Sequence, residues 1–286
     1  MGRPRVAIFA STQLELFESI ALARALHEHS GPVTLLLAGD SAAHERDLVC
    51  YRARPWAAEL SRVHIRQIGS CRAGSLERIL ADERPSMILL PGAVENPMGL
   101  ASVCSVAAGR AGIPALGIWP ADASLLLREN LPAALSALRE RGAAAPALVA
   151  PWDYILADFA AHGLWSGAAA RARLGMILNE VEAAHDLPVV WPSSLCLPLD
   201  ILDWFGLASE ARLILTDRAD VQIAACALGV PCVTLLERTN APETVRAGAN
   251  LLAGSDLDEI QRAVGIMARK VSRWEDPWSA ALTTGR

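Results

Sequence analysis

Signatures that would fix a chemistry at once are missing from this 286-residue chain. No Gly-x-Gly-x-x-Gly follows the first apolar strand, and there is no Walker-type phosphate loop, no Gly-x-Ser-x-Gly elbow and no His-Glu-x-x-His. The six cysteines, Cys50, Cys71, Cys104, Cys196, Cys226 and Cys232, form no Cys-x-x-Cys pair and have no His at zinc-ligand spacing. They read as reduced thiols of a cytoplasmic protein, with no metal or cofactor implied. No run of basic residues occurs and the net charge is −5, which argues against nucleic acid or an anionic membrane as partner. Apolar stretches fall short of the ~18 residues that span a bilayer. The apolar run before Ser11 is too short for a secretory signal. Gly and Pro, at 20 and 17, are ordinary, so collagen-like and low-complexity chains are excluded.

What is present is 52% apolar and only 20% charged, long enough for about two α/β domains. Apolar runs at Arg5–Ala10, Pro32–Ala38, Val63–Ile68, Met87–Leu90 and Ala115–Ile118 read as strands. Helical spacing between them covers Leu14–His29, Ser75–Glu83 (with Ser75 as N-cap) and Leu100–Ala111. The pattern restarts after Pro146. A second set opens near Leu148–Ala150, followed by a helix over Ala168–His185 and a strand at Val189–Trp191. A short helix at Ile201–Phe205, a strand at Arg212–Thr216, a helix at Val221–Leu228, a strand at Cys232–Leu235 and a helix at Leu257–Lys270 complete it. Alternation of this kind predicts two doubly wound parallel sheets, an N-terminal domain over 1–145 and a C-terminal one over 146–286. Ligands of such domains sit at the carboxyl ends of the strands. Eight Trp against four Phe and two Tyr is unusual. Trp119, Trp152 and Trp191 fall near strand ends, where they either stack on a ligand ring or plug core.

The stretch Leu213-Ile-Leu-Thr-Asp217-Arg-Ala-Asp-Val-Gln222, with Leu228-Gly-Val-Pro231 and Pro242-Glu-Thr-Val-Arg-Ala-Gly248, closely resembles the C-terminal half of the UDP-N-acetylglucosamine 2-epimerases. Pro198-Leu-Asp200 through Phe205 resembles that family's Pro-Leu-(Asp/Glu)-Tyr-x-x-Phe helix, and Asp276-Pro277-Trp278 its Asn-Pro-Tyr element. The N-terminal half matches more weakly, with Ser11–Glu18 in place of a Gly-Thr-Arg-Pro-Glu-x-x-Lys loop. The resemblance implies a glycosyltransferase-B-type pair of Rossmann-like domains in a divergent, shorter family member. It implies an isomerase ancestry, a sugar or sugar-nucleotide ligand, and a homodimer or a heteromeric partner.

The family chemistry eliminates UDP across C1–C2 of the sugar and re-adds it with C2 inverted. It needs an acid/base pair at C2 and cations for the departing diphosphate. Here Gln13 and Glu18 replace the loop arginine and lysine, while Glu15 is kept. Glu95 and Asp122 lie near the positions of two further family acids, so Glu15, Glu95 and Asp122 are the candidate catalytic groups. Asp153 falls in the segment that replaces a His-Arg-x-Glu-Asn signature, and Ser194 replaces a histidine. Arg218-Ala219-Asp220 replaces a Ser-Gly-Gly nest for phosphate, and Ala224 replaces a ribose-binding glutamate. Together with Gln13, Asp153 and Ser194, the candidate binding residues are Arg218, Asp220, Gln222, Arg238 and Glu243. Glu15, Glu18, Glu95, Asp122, Asp153, Asp217, Asp220, Glu237 and Glu243 outnumber Arg218 and Arg238 in the strand-end loops, a field that repels a diphosphate. The expectation is a family homologue without the ancestral activity, a binding or partner subunit in glycan or natural-product sugar metabolism. Its rivals are an active sugar-nucleotide epimerase and an enzyme rewired for a less anionic ligand.

Two residues carry sharper expectations. Asp217 is read as structural, capping N–H groups in the turn before its helix. Arg218 stands at a helix N-terminus, where the macrodipole disfavours a cation, so it needs an anionic partner such as Asp220 or Glu243.

Overall fold

The computed structural model describes residues 5–27, 31–39, 41–52, 55–68, 73–90, 100–117, 131–133, 136, 153–160, 164–165, 167–191, 200–271, 274–275 and 277–278. The chain divides into two compact units, Met1–Ala134 with Pro198–Ile201, and Leu135–Leu197 with Leu202–Arg286. The boundary expected at 145/146 and the strand start at Leu148 lie outside the described residues.

In the first unit, β1 (Val6–Ala10), β2 (Val33–Ala38), β3 (His64–Ile68), β4 (Met87–Leu90) and β5 (Ala115–Gly117) form one sheet in the order β3-β2-β1-β4-β5. All the pairings are parallel. Every residue of β1 is buried, as expected of a central parallel strand covered on both faces. Phe9, Leu36, Leu76, Leu80 and Ile88 pack in its core with the small face of helix Leu100–Arg110, which offers Cys104, Ala107 and Ala108. Helix Gln13–His27 starts in a capping box: Thr12 Oγ1 accepts from Glu15 N at 3.1 Å, and the Glu15 carboxylate reaches back to Ser11 N. Ser75, expected as an N-cap, lies inside helix Ala73–Glu83, which begins two residues earlier. The sequence pattern also missed helix Ser41–Arg52, too polar to show a clean apolar stripe, and the 3-10 segment Pro55–Arg62, too short and kinked at Ala57 to read as a helix.

The second unit repeats the architecture with β6 (Ile155–Asp158), β7 (Val189–Val190), β8 (Leu213–Thr216), β9 (Cys232–Thr234) and β10 (Asn250–Leu252), ordered β10-β9-β8-β6-β7 and parallel throughout. Helices Ala168–His185 and Leu257–Met267 bury Leu174, Ile177, Leu178, Ile260, Val264 and Met267 against it. The short helix expected at Ile201–Phe205 continues to Glu210. Helix Ala219–Leu228 stops in a Schellman turn, where Gly229 takes a φ of 78° and Val230 N donates to Ala225 O at 2.9 Å. That left-handed position explains why Leu228 is followed by glycine. Among the described residues no helix is long and apolar enough to cross a membrane.

Candidate functional site

A doubly wound sheet opens a crevice where the strand order reverses, at the carboxyl ends of the two strands that flank the reversal. In the second unit the reversal lies between β6 and β8. Asp158 closes β6, and Thr216, Asp217 and Arg218 follow from the end of β8 into helix Ala219–Leu228. The candidate site is therefore placed by topology before any side chain is considered.

Its side chains are already engaged with one another. Arg218 Nε and Nη2 donate to the two oxygens of Asp220 at 3.1 and 2.5 Å, a bidentate fork. Its remaining terminal nitrogen, Nη1, donates to Asp158 Oδ1 at 3.2 Å, while Trp204 Nε1 donates to Asp158 Oδ2 at 2.7 Å. Asp158, Arg218 and Asp220 side chains are only 14%, 17% and 19% exposed, so solvent screens the cluster weakly. Asp220 Oδ1 also accepts from Val221 N at 2.9 Å, which places a carboxylate on the first turn of the helix. A helix N-terminus favours an anion, and here the chain supplies its own.

Asp217 bonds backbone N–H groups, as expected of a structural residue, but its main partner is not in its own turn. Its Oδ1 accepts from Ala160 N at 2.8 Å, tying the end of β8 to the end of β6, and its carboxylate also takes a weaker bond from its own backbone N–H. The turn is served instead by Thr216 Oγ1, which accepts from Arg218 N at 3.0 Å. Burial pushes the Asp217 carboxyl up to about 6; the Ala160 bond and Arg218 pull it down, and Asp158 adds repulsion. Arg218 has the acidic partner expected of it in Asp220 and a second in Asp158, whereas Glu243 pairs with Arg246 at 3.2 Å.

The other binding candidates are dispersed. Gln222 is 1% exposed and faces inward. Its Oε1 accepts from Thr239 Oγ1 at 2.5 Å and from Asn250 Nδ2 at 3.2 Å. Asn250 Oδ1 accepts from Thr234 Oγ1 at 2.9 Å, so this amide network fastens β9, β10 and helix Ala219–Leu228 together. Arg238 and Asp153 are exposed. Glu95, Asp122 and Ser194 lie outside the described residues.

In the first unit the reversal lies between β1 and β4, which puts Ser11, Gln13 and Glu15 at its edge. Glu15, a candidate acid or base, is 9% exposed, and its Oε2 accepts from Ser11 N at 2.6 Å and Ser11 Oγ at 2.8 Å. Gln13 Nε2 donates to Asp47 Oδ1 at 3.0 Å. Sequence reasoning missed Asp158, Trp204 and Asp47. For Asp158 a signal existed: Ile155-Leu-Ala-Asp158 is an apolar run ended by an acid, like Leu213-Ile-Leu-Thr-Asp217.

With this geometry in hand, the chain can be set beside known proteins. Residues 168–285 match the family described as UDP-N-acetylglucosamine 2-epimerase. The UDP-N-acetylglucosamine 2-epimerase of Methanocaldococcus jannaschii is 44% identical over 81 residues, 28% of this chain and 22% of that one. That of Methanococcus maripaludis is 37% identical over 102 residues, 36% of this chain and 26% of that one. The matched stretches thus span about a quarter of those relatives or less. By structure, the chain is similar to Methanocaldococcus jannaschii UDP-GlcNAc 2-epimerase in complex with UDP-GlcNAc and UDP, with a TM-score of 0.67 and 20% identity over 98% of this chain and 100% of that one. The Neisseria meningitidis UDP-GlcNAc 2-epimerase bound to UDP-GlcNAc gives a TM-score of 0.66 at 16% identity, over 98% and 99% of the two chains. These likenesses show the two-domain glycosyltransferase-B-type fold that the sequence implied.

Proposed function

Since the chain belongs, through residues 168–285, to the UDP-N-acetylglucosamine 2-epimerase family, we propose that it is a divergent member without the ancestral epimerisation. Its role on this reading is that of a sugar-ligand-binding or partner subunit in glycan or natural-product sugar metabolism. One observation carries the reading: the guanidinium of Arg218 is taken by Asp158 and Asp220, at the place where the resemblance puts the family's phosphate nest. A diphosphate entering there must displace a bidentate carboxylate and then lie beside Asp158, Asp217 and Asp220. At contact distance each unit charge costs about 1 to 4 kcal/mol, depending on solvent access. On the resemblance, the loss of glycine at Ala219 and Asp220 adds to this, because glycine, with no Cβ, is what lets a backbone close on a phosphate.

Two of the similar structures hold UDP-GlcNAc, which makes UDP the natural probe. Calorimetric titration of the full chain with UDP is expected to give a Kd weaker than about 1 mM, near −4 kcal/mol. Micromolar affinity would overturn the reading and favour an active sugar-nucleotide epimerase. Binding of a neutral sugar without UDP binding would favour a site rewired for a less anionic ligand.

A further inference from the structure

The first unit contains a buried carboxylate that the reading above does not use. Asp47 lies on helix Ser41–Arg52 with no measurable exposure. Its Oδ1 accepts two hydrogen bonds, from Gln13 Nε2 at 3.0 Å and from Ile201 N at 2.9 Å. Its Oδ2 is buried with no partner among the described residues. The two donors come from different places in the chain. Gln13 opens the helix that follows β1, and Ile201 is the first residue of helix Ile201–Glu210. Asp47 therefore supplies, from 154 residues away, the acceptor that a helix N-terminus ordinarily finds in its own N-cap.

We propose that Asp47 is a pH-sensitive clasp on Ile201: the neutral carboxyl holds the Ile201 amide, and its ionisation loosens that hold. A neutral carboxyl at this position satisfies both donors through Oδ1 and leaves no charge in the interior. The anion accepts the same two bonds but keeps a charged Oδ2 away from water, and release of Ile201 is what readmits water to it. The charged groups that act on Asp47 do not reverse this balance. Burial raises its carboxyl to about 7, the bonds from Gln13 and Ile201 oppose that, Asp200 next to Ile201 adds to it, and Arg46 on its own helix offsets Asp200. Helix Gln13–His27 also carries Glu15, which is turned onto Ser11, the buried Glu18, and the half-buried Arg24, which is not among the charges that act on Asp47. Neither acid offers a counter-charge.

Amide hydrogen exchange read at Ile201 tests the clasp in the full chain. Corrected for intrinsic rates, protection of Ile201 is expected to fall up to about tenfold per pH unit between about pH 5 and 7 and to level off above. Ile88, whose amide donates to Pro114 O at 2.9 Å in the same unit, reports global opening. The clasp requires Ile201 to exchange faster than Ile88 throughout. In Asp47→Asn, which keeps a side-chain acceptor and cannot titrate, protection of Ile201 is expected to be flat across the same range. Flat protection in the wild type, exchange of Ile201 that merely tracks Ile88, or an undiminished slope in the variant would each overturn the proposal. Should the variant not fold, the wild-type comparison of Ile201 with Ile88 decides alone.

Discussion

Asp47→Asn is expected to raise the free energy of unfolding above neutral pH by as much as about 4 kcal/mol, and to leave it nearly unchanged near pH 4. The folded-state pKa of Asp47 is about 7 against an ordinary 3.8. A carboxyl raised in this way binds its proton more tightly folded than unfolded. Its favourable contribution is complete below about pH 4 and is lost as pH rises through 7. Asparagine keeps the acceptor for Gln13 and Ile201 and carries no charge, so the difference between variant and wild type should open across that window and stay constant above it. Urea unfolding at the two ends of the window measures it. Asp217→Asn provides a comparison, because the Asp217 carboxyl is raised only to about 6 and its difference should level off about a pH unit earlier. Curves for Asp47→Asn and wild type that run parallel from acid to alkaline pH would contradict the assignment.

The paired substitution Asp158→Asn with Asp220→Asn is expected to tighten UDP binding at least about tenfold over wild type, equivalent to about 1.4 kcal/mol. The two changes remove both carboxylates that hold the Arg218 guanidinium and leave neutral amides of the same shape. Asparagine at 158 retains an acceptor for Trp204 Nε1, which keeps the end of β6 tied to helix Ile201–Glu210. The gain is set as a floor because Asp217 still stands beside the freed guanidinium. Each single variant should give a smaller gain, since the remaining carboxylate continues to engage Arg218. A cooperative melt establishes that the paired variant is folded. Affinity for UDP unchanged from wild type in that folded protein would show that the carboxylates do not guard the site.

Much of this architecture was legible because central parallel strands are buried on both faces. Val6–Ala10, Met87–Leu90 and Leu213–Thr216 read as unbroken apolar runs and are strands in the structure. Thr216-Asp217-Arg218-Ala219-Asp220 could likewise be placed at a strand end from sequence, which brought Arg218 and Asp220 into view together. Asp158 escaped because the sequence pattern opens the second set at Leu148–Ala150, in the Ala- and Pro-rich stretch just before it, which leaves strand Ile155–Asp158 unplaced. Without β6, the topology gives no reversal point, and the second acid on Arg218 has no visible position. Asp47 escaped for a different reason. Helix Ser41–Arg52 is polar over most of its length, and its single buried acid finds partners 34 and 154 residues away, a relation no local pattern encodes. Gln222 shows the converse limit. A polar residue two positions past Asp220 reads as a ligand contact, yet helical geometry turns it into the core, where Asn250 and Thr239 receive it.

The central claim is that this chain keeps the fold of the epimerase family while its own acids occupy the place of the diphosphate. Incubation of the pure, full chain with UDP-N-acetylglucosamine in D₂O, followed by proton NMR of the sugar, tests it most directly. Epimerisation through removal and return of the C2 proton must exchange that proton for deuterium, whichever epimer is favoured at equilibrium. The account predicts that the C2 proton signal persists undiminished and that no second epimer accumulates. Loss of that signal at a rate proportional to protein concentration would contradict it.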